Sequence, residues 1–176
     1  MIGARVGLRV IGFAALAVVF WTQALPAQAQ TERLGEFRAW SVYVDTSNDQ
    51  KTCFVISQPS SSEMNPAGRQ RGPAHIFIAI RPTEQVRGEV SVIYGYPLRE
   101  GSTRAEVGAT TFPLFARDEN AWIENVADEP RLVDSMRRGA TMRVFGTSTR
   151  GTETIDTYSL SGITAAMNRA QQACAS

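Results

Sequence analysis

A single histidine, His75, and two cysteines, Cys53 and Cys174, are the whole supply of imidazole and thiol in this 176-residue chain. That scarcity excludes a good deal of chemistry. A Ser-His-Asp or Cys-His nucleophilic site would have to use His75, which stands at the edge of an apolar run, and no G-x-S-x-G elbow offers it a serine. The bland reading of His75 is a strand-end residue with one hydrogen bond. Structural zinc lacks ligands, and the cysteines are not spaced as C-x-x-C, which disfavours a redox pair. The formal net charge is only +1, so there is no basic footprint for nucleic acid. There is no internal repeat, and no apolar run reaches the roughly 20 residues of a membrane-spanning helix.

What is present begins with an address. Arg5 and Arg9 give a positive start, an apolar run follows over residues 10–20, and Pro26, Ala27, Gln28 and Ala29 supply a helix breaker and a small-x-small pattern. Residues 1–29 are therefore expected to be a signal peptide cleaved after Ala29, and no cysteine ends the apolar run to carry a lipid. The expected destination is the periplasm or cell envelope, with no stable membrane span once the signal is removed. Residues 30–176 are the size of one domain. They are nearly neutral once Arg5 and Arg9 are gone. An oxidising compartment couples a lone pair of cysteines, so a structural disulfide between Cys53 and Cys174 is expected, tying the start of the fold to its last helix.

Short β-type runs separated by turn residues fill most of the mature chain. They fall at 37–44, 52–58, 75–81, 89–96, 110–115, 121–124, 142–149 and 152–159. This predicts an all-β fold: a β-sandwich of about eight strands in two packed sheets, jelly-roll-like, with a short helix and an amphipathic C-terminal helix. The near-continuous His-Ile-Phe-Ile-Ala-Ile run suggests a central strand covered on both faces. The short helix is bounded by Asp128, Glu129 and Pro130 at one end and Arg137, Arg138 and Gly139 at the other. The last helix begins near Ser161, and Ile163, Ala166, Met167, Ala170 and Cys174 share one face at helical spacing.

Several groups are candidates for function. Residues 59–74 read as a long loop made locally basic by Arg69 and Arg71, either a binding loop or a solvated connection. Arg150 and Gly151 read as a two-residue hairpin turn, which sets Thr149 opposite Thr152, Thr147 opposite Thr154 and Phe145 opposite Asp156. In that hairpin Arg150 and Asp156 are either a recognition edge or, for Asp156, an ion-pair or turn partner. Asp118, Glu119 and Glu124 flank Trp122, as acids flank an aromatic in sugar sites, though a turn and core packing explain them as well. Asp45, Asn48 and Asp49 cluster without the spacing of a calcium loop. No catalytic residue, metal or cofactor is assigned.

A set of pieces in order resembles the invasion-associated locus B family of exported bacterial proteins. The pieces are the leader, Trp40, Lys51-Thr52-Cys53-Phe54, Gly95-Tyr96-Pro97, Phe112 with Leu114-Phe115, and Ala121-Trp122. They continue through Met136 with Gly139, the 148–152 run Ser-Thr-Arg-Gly-Thr, the 156–160 run Asp-Thr-Tyr-Ser-Leu, and Cys174. Arg137 and Arg138 stand where lysines are expected in relatives. The resemblance implies a periplasmic or outer-envelope protein of a Gram-negative bacterium, linked in some pathogens to host-cell entry, and it implies no catalytic residues.

Three functions follow as expectations. The first is a non-enzymatic binding module for an envelope or host protein or polymer. The second is an envelope hydrolase acting on glycan or peptide through Asp118, Glu119 or Glu124. The third is a stress or folding helper, which would expose a contiguous apolar patch.

Overall fold

A computed structural model describes residues 30–47 and 50–175. The expected leader and its cleavage point lie outside the described residues, as do Asn48 and Asp49.

Eleven strands form among the described residues, in chain order. They are β1 (Gln30–Phe37), β2 (Trp40–Ser47), β3 (Gln50–Ser57), β4 (Ser61–Asn65), β5 (His75–Arg81) and β6 (Val86–Ile93). After these come β7 (Arg104–Val107), β8 (Thr110–Arg117), β9 (Asn120–Ile123), β10 (Thr141–Thr147) and β11 (Glu153–Ser159). Among the described residues there are also two α-helices, α1 (Glu129–Arg138) and α2 (Ile163–Ala175). All strand pairs are antiparallel, in the order β1-β2-β3-β5-β6-β9-β8-β7-β10-β11-β4.

The all-β, sandwich-like architecture is as expected, with more strands than the eight read from sequence. Its two layers are halves of one hydrogen-bonded ladder. The turn between them is β8, whose first residues pair with β7, from Val107–Thr110 to Arg104–Pro113. Its last residues pair with β9, from Leu114–Ile123 to Arg117–Asn120. A strand that changes layers in this way makes the corner of a folded sheet. The order is not a simple meander: β7, β8 and β9 are inserted in reverse, so that β9 lies beside β6 and β7 beside β10 in a Greek-key arrangement, and β4 crosses to the far side of β11.

Alternation along the strands builds the core. Val42, Val55, Ile78 and Val90 stand opposite one another across four strands, and Val44, Cys53 and Ile80 form the next row. These rows face inward, and Trp40 is sealed beside them with its indole N–H on the Ser159 carbonyl at 3.0 Å. The second layer contributes Phe112, Met142, Val144 and Tyr158. On β5 only Ile76, Ile78 and Ile80 are buried. His75, Phe77 and Ala79 are half-buried on the outer face, where Phe77 packs with Phe54. The expectation that β5 is covered on both sides is therefore corrected: it is central in the ladder, but among the described residues no second layer lies upon its outer face.

α2 buries the five predicted residues, Ile163, Ala166, Met167, Ala170 and Cys174, against the first layer. The disulfide joins Cys53 to Cys174 with Cα atoms 5.9 Å apart, inside the usual range for a bridge. α1 starts with Pro130 in its first turn and buries Leu132, Val133 and Met136.

Two boundaries differ for local reasons. The run read as 37–44 straddles a tight hairpin, because Phe37 pairs with Trp40 across a turn in which Arg38 has φ 56°. In the last hairpin the Gly151 N–H bonds the Ser148 carbonyl and Gly151 takes φ 87°, so the turn holds one more residue than expected. The register slips by one: Thr147 faces Glu153, Gly146 faces Thr154 and Val144 faces Asp156. A one-residue slip turns every side chain to the other face, and Asp156 points into the protein.

Candidate functional site

The slip in register places the polar side chains of β11 indoors. Thr154, Asp156 and Tyr158 are all buried there, and β4 lies against β11 with Ser62 opposite Asp156. Asp156 meets Arg71, which comes from the segment before β5. Nη1 of Arg71 donates to Asp156 Oδ2 at 2.7 Å and Nη2 to Oδ1 at 2.5 Å. The Ser62 hydroxyl donates to Asp156 Oδ1 at 2.6 Å and accepts from Arg71 Nη2 at 2.9 Å. Side-chain exposure is 9% for Arg71 and 1% for Asp156, so this is a buried, bidentate pair with a third group closing it. Burial pulls the Arg71 guanidinium down and the Asp156 carboxylate outweighs that, leaving it above its ordinary value.

Aromatic residues wall the pair. Tyr94 donates to the Phe145 carbonyl at 3.0 Å, and the Tyr96 hydroxyl shares a hydrogen bond with Thr154 Oγ1 at 2.5 Å. The two rings meet edge to face at 5.8 Å. Gly146 is the floor they press upon, since a Cβ there would lie 2.6 Å from Tyr94 Cε1 and 3.0 Å from Tyr96 Oη.

Above this network is a cavity of about 110 Å³ whose lining includes Arg69, Arg71, Tyr96, Arg150, Thr152 and Thr154. Three of the four residues picked out from sequence for binding, Arg69, Arg71 and Arg150, thus meet in one place, although they belong to two segments far apart in the chain. The fourth, Asp156, lies beneath and is engaged by Arg71. The Arg99 guanidinium lies beside Gly151, the residue after Arg150. Glu63 and Glu153, the nearest acids in sequence, alternate onto the opposite face of β4 and β11 from Ser62 and Thr154. With Arg71 neutralised by Asp156, the cavity keeps a net positive rim and several hydroxyls, which suits an anionic group.

Sequence reading did not find Ser62, Tyr94 or Tyr96 as members of this site. The signal for the tyrosines is the Gly95-Tyr96-Pro97 run, and Ser62 has none beyond its serine-rich surroundings.

The other candidates stay apart. His75 Nε2 lies 3.2 Å from Gln58 Nε2 on the outer face, a strand-end contact. Asp118 and Glu119 form the turn between β8 and β9, with Asp118 at φ 53°. Glu124 follows the far end of β9, about 16 Å from Glu119 at strand rise. Asp45 accepts from Thr31 and Ser47, which hold its carboxyl below the usual range. Among the described residues, no three histidine, cysteine or carboxylate side chains gather to hold a metal ion.

Residues 40–171 match the family described as Invasion associated locus B (IalB) protein. No curated protein and no solved structure matches the chain. The matched stretch runs from the first residue of β2 into α2 and includes every side chain of the arginine-rimmed site; the chain belongs to the invasion-associated locus B family.

Proposed function

We propose that this is an exported protein of the periplasm or cell envelope that works by binding, seating an anionic group of an envelope polymer, or of an envelope or host protein, in the arginine-rimmed cavity. The observation that carries this reading is the convergence of Arg69 and Arg150 on the cavity above the Arg71–Asp156 pair. Arginine presents a planar fork of donors that matches carboxylate and phosphate oxygens, and it keeps its charge at any ordinary pH. The hydroxyls of Thr152 and Thr154 complete a polar lining around that charge.

Support for binding over hydrolysis comes from the acids. Glycosidases hold two carboxyl groups within about 5 to 9.5 Å of each other across the scissile bond. Glu119 and Glu124 stand at opposite ends of β9, and Asp118 is in a turn with its neighbour. No cofactor enters this reading.

The test is a titration of the purified protein with polygalacturonate and with poly-glutamate, using neutral dextran as control. Saturable binding that weakens with salt and falls at least tenfold in Arg69→Ala/Arg150→Ala supports the reading. Equal binding by wild type and double variant, or no preference for the polyanions over dextran, overturns it. Cell fractionation checks the compartment: protein retained in the cytoplasm with an intact leader removes the export part.

A further inference from the structure

A sheet with one face in water ordinarily turns its polar residues outward. The first layer departs from that rule. It runs β1-β2-β3-β5-β6-β9 and ends on the second half of β8. On its outer face Ile56, Phe77, Ser91, Trp122 and Phe115 stand opposite one another in a row that crosses five strands. The row on one side of it holds Tyr43, Phe54 and Ala79, and the row on the other holds His75, Ile93 and Asn120. Phe115 is 57% exposed and the other aromatic rings are half-buried, with no second layer upon them among the described residues. A contiguous apolar patch of this kind marks an interface.

Charge, relief and area together make a second copy of the chain its occupant. Between β2 and β9 the three rows hold one formal charge, Glu89, and Arg81 Nη2 meets it at 2.9 Å. The face therefore suits a partner that is itself apolar and uncharged. Tyr43 and Phe54 stack at 5.3 Å with their planes 14° apart, and Phe54 meets Phe77 at 5.8 Å. These rings cover part of one another's faces, which a sugar would need open. They form a raised group on β2, β3 and β5, and Trp122 with Phe115 forms another on β9 and β8. The small side chains of Ala79 and Ser91 leave a furrow between the two. A ridge beside a furrow is self-complementary under a two-fold axis, where residue i meets j and j meets i.

We propose that two copies of the chain pack through these outer faces, with the Phe54–Phe77 ridge of each seated in the Ala79–Ser91 furrow of the other. Two sheets stacked about 10 Å apart would complete a sandwich across the axis. Seven strands span about 30 Å and three rows about 20 Å, a plane on the order of 600 Å². Side-chain relief enlarges the accessible area toward the roughly 800 Å² per partner of a stable interface.

The exported chain, residues 30–176, tests this by sedimentation velocity from about 1 to 200 μM. A dimer is expected, with a dissociation constant at or below about 10 μM for an interface of standard size. Trp122 reports on the face directly, because the chain beyond residue 29 has one other tryptophan, Trp40, and that one is sealed. Acrylamide should quench Trp122 more strongly as dilution separates the copies, with the same midpoint as the change in mass. Ser91→Arg stands a long charged side chain in the furrow, on a face that is open to water in the monomer. It should raise the dissociation constant at least tenfold and leave the far-ultraviolet circular dichroism unchanged. A mass of one chain at about 200 μM overturns the proposal. So does a dimer whose Trp122 quenching ignores dilution, or a dimer that a folded Ser91→Arg leaves intact. Monomers that use this face on neutral phosphatidylcholine vesicles, or on reduced and aggregating insulin, overturn it in favour of a lipid surface or a folding helper. None of these outcomes depends on Arg69 or Arg150, so this proposal and the anion-binding reading stand or fall separately.

Discussion

Arg71 donates from both ends of its guanidinium to the two carboxylate oxygens of Asp156, across 85 residues of sequence. The pair fixes the segment before β5 onto β11, and the Ser62 hydroxyl binds both partners to draw in β4. A buried pair of this kind need not stabilise more than apolar residues would, but breaking it leaves one charge stranded. Asp156→Asn should therefore cost about 3 to 5 kcal/mol in urea denaturation at neutral pH. Arg71→Met should cost a similar amount. The double variant Arg71→Met/Asp156→Leu should cost clearly less than the two single changes added, and additive costs would mean that the two side chains are not coupled.

The bridge from Cys53 to Cys174 spans 121 residues and fastens α2 to β3. Chain entropy for a loop of that length amounts to about 4 to 5 kcal/mol withheld from the unfolded state. Cys53→Ala/Cys174→Ala should lose stability of that order. Reductant should bring the wild type down to the level of the double variant and leave the variant unmoved, whereas a reductant effect of equal size on both would point to some other cause.

Legibility in the sequence followed the strength of the local pattern. β5 and α2 were plain because isoleucines at every second residue and apolar residues at helical spacing each admit one structure. β4 was hidden because Ser-Ser-Glu-Met-Asn has no alternation, and it exists through its main-chain pairing with β11 and the Ser62 contact to Asp156. β1 is polar for the same reason, an edge strand held by β2. Arg69 and Arg71 are legible as the basic residues of a loop and Arg150 as a hairpin-turn residue, but their meeting is not. It depends on a register that one extra residue at Gly151 shifts, and on a loop whose destination is set by a carboxylate far along the chain.

Gly146 is required by contact. Tyr94 is anchored through its hydroxyl on the Phe145 carbonyl, so its ring cannot swing away from a new methyl 2.6 Å distant. Gly146→Ala should cost about 1 to 3 kcal/mol, the usual range for overpacking, measured as a lowered urea midpoint. Because Tyr96 shares the contact and lines the arginine-rimmed cavity, polyanion binding should weaken as well. A variant with wild-type stability and wild-type binding would show that the rings are free to move.

Alkaline pH probes the same tyrosines. Burial raises the hydroxyls of Tyr94, Tyr96 and Tyr158 above their ordinary value of 10.0, and the negative charge of Asp156 adds to the effect. In the unfolded chain these groups ionise near 10, so above that pH the folded state holds more protons than the unfolded one and folding loses ground. The stabilising contribution is complete below about pH 10 and declines as pH rises past it. The urea midpoint should fall there, and the near-ultraviolet phenolate absorbance of these three residues should appear together with unfolding. Tyr158 gives the sharpest form of the test, because its hydroxyl is buried with no hydrogen-bond partner among the described residues. Tyr158→Phe should match or exceed wild-type stability near pH 7, since it removes an unsatisfied polar group, and should fall less steeply at alkaline pH. A steeper fall, or a loss at neutral pH beyond about 1 kcal/mol, would mean that the hydroxyl is bonded in solution after all.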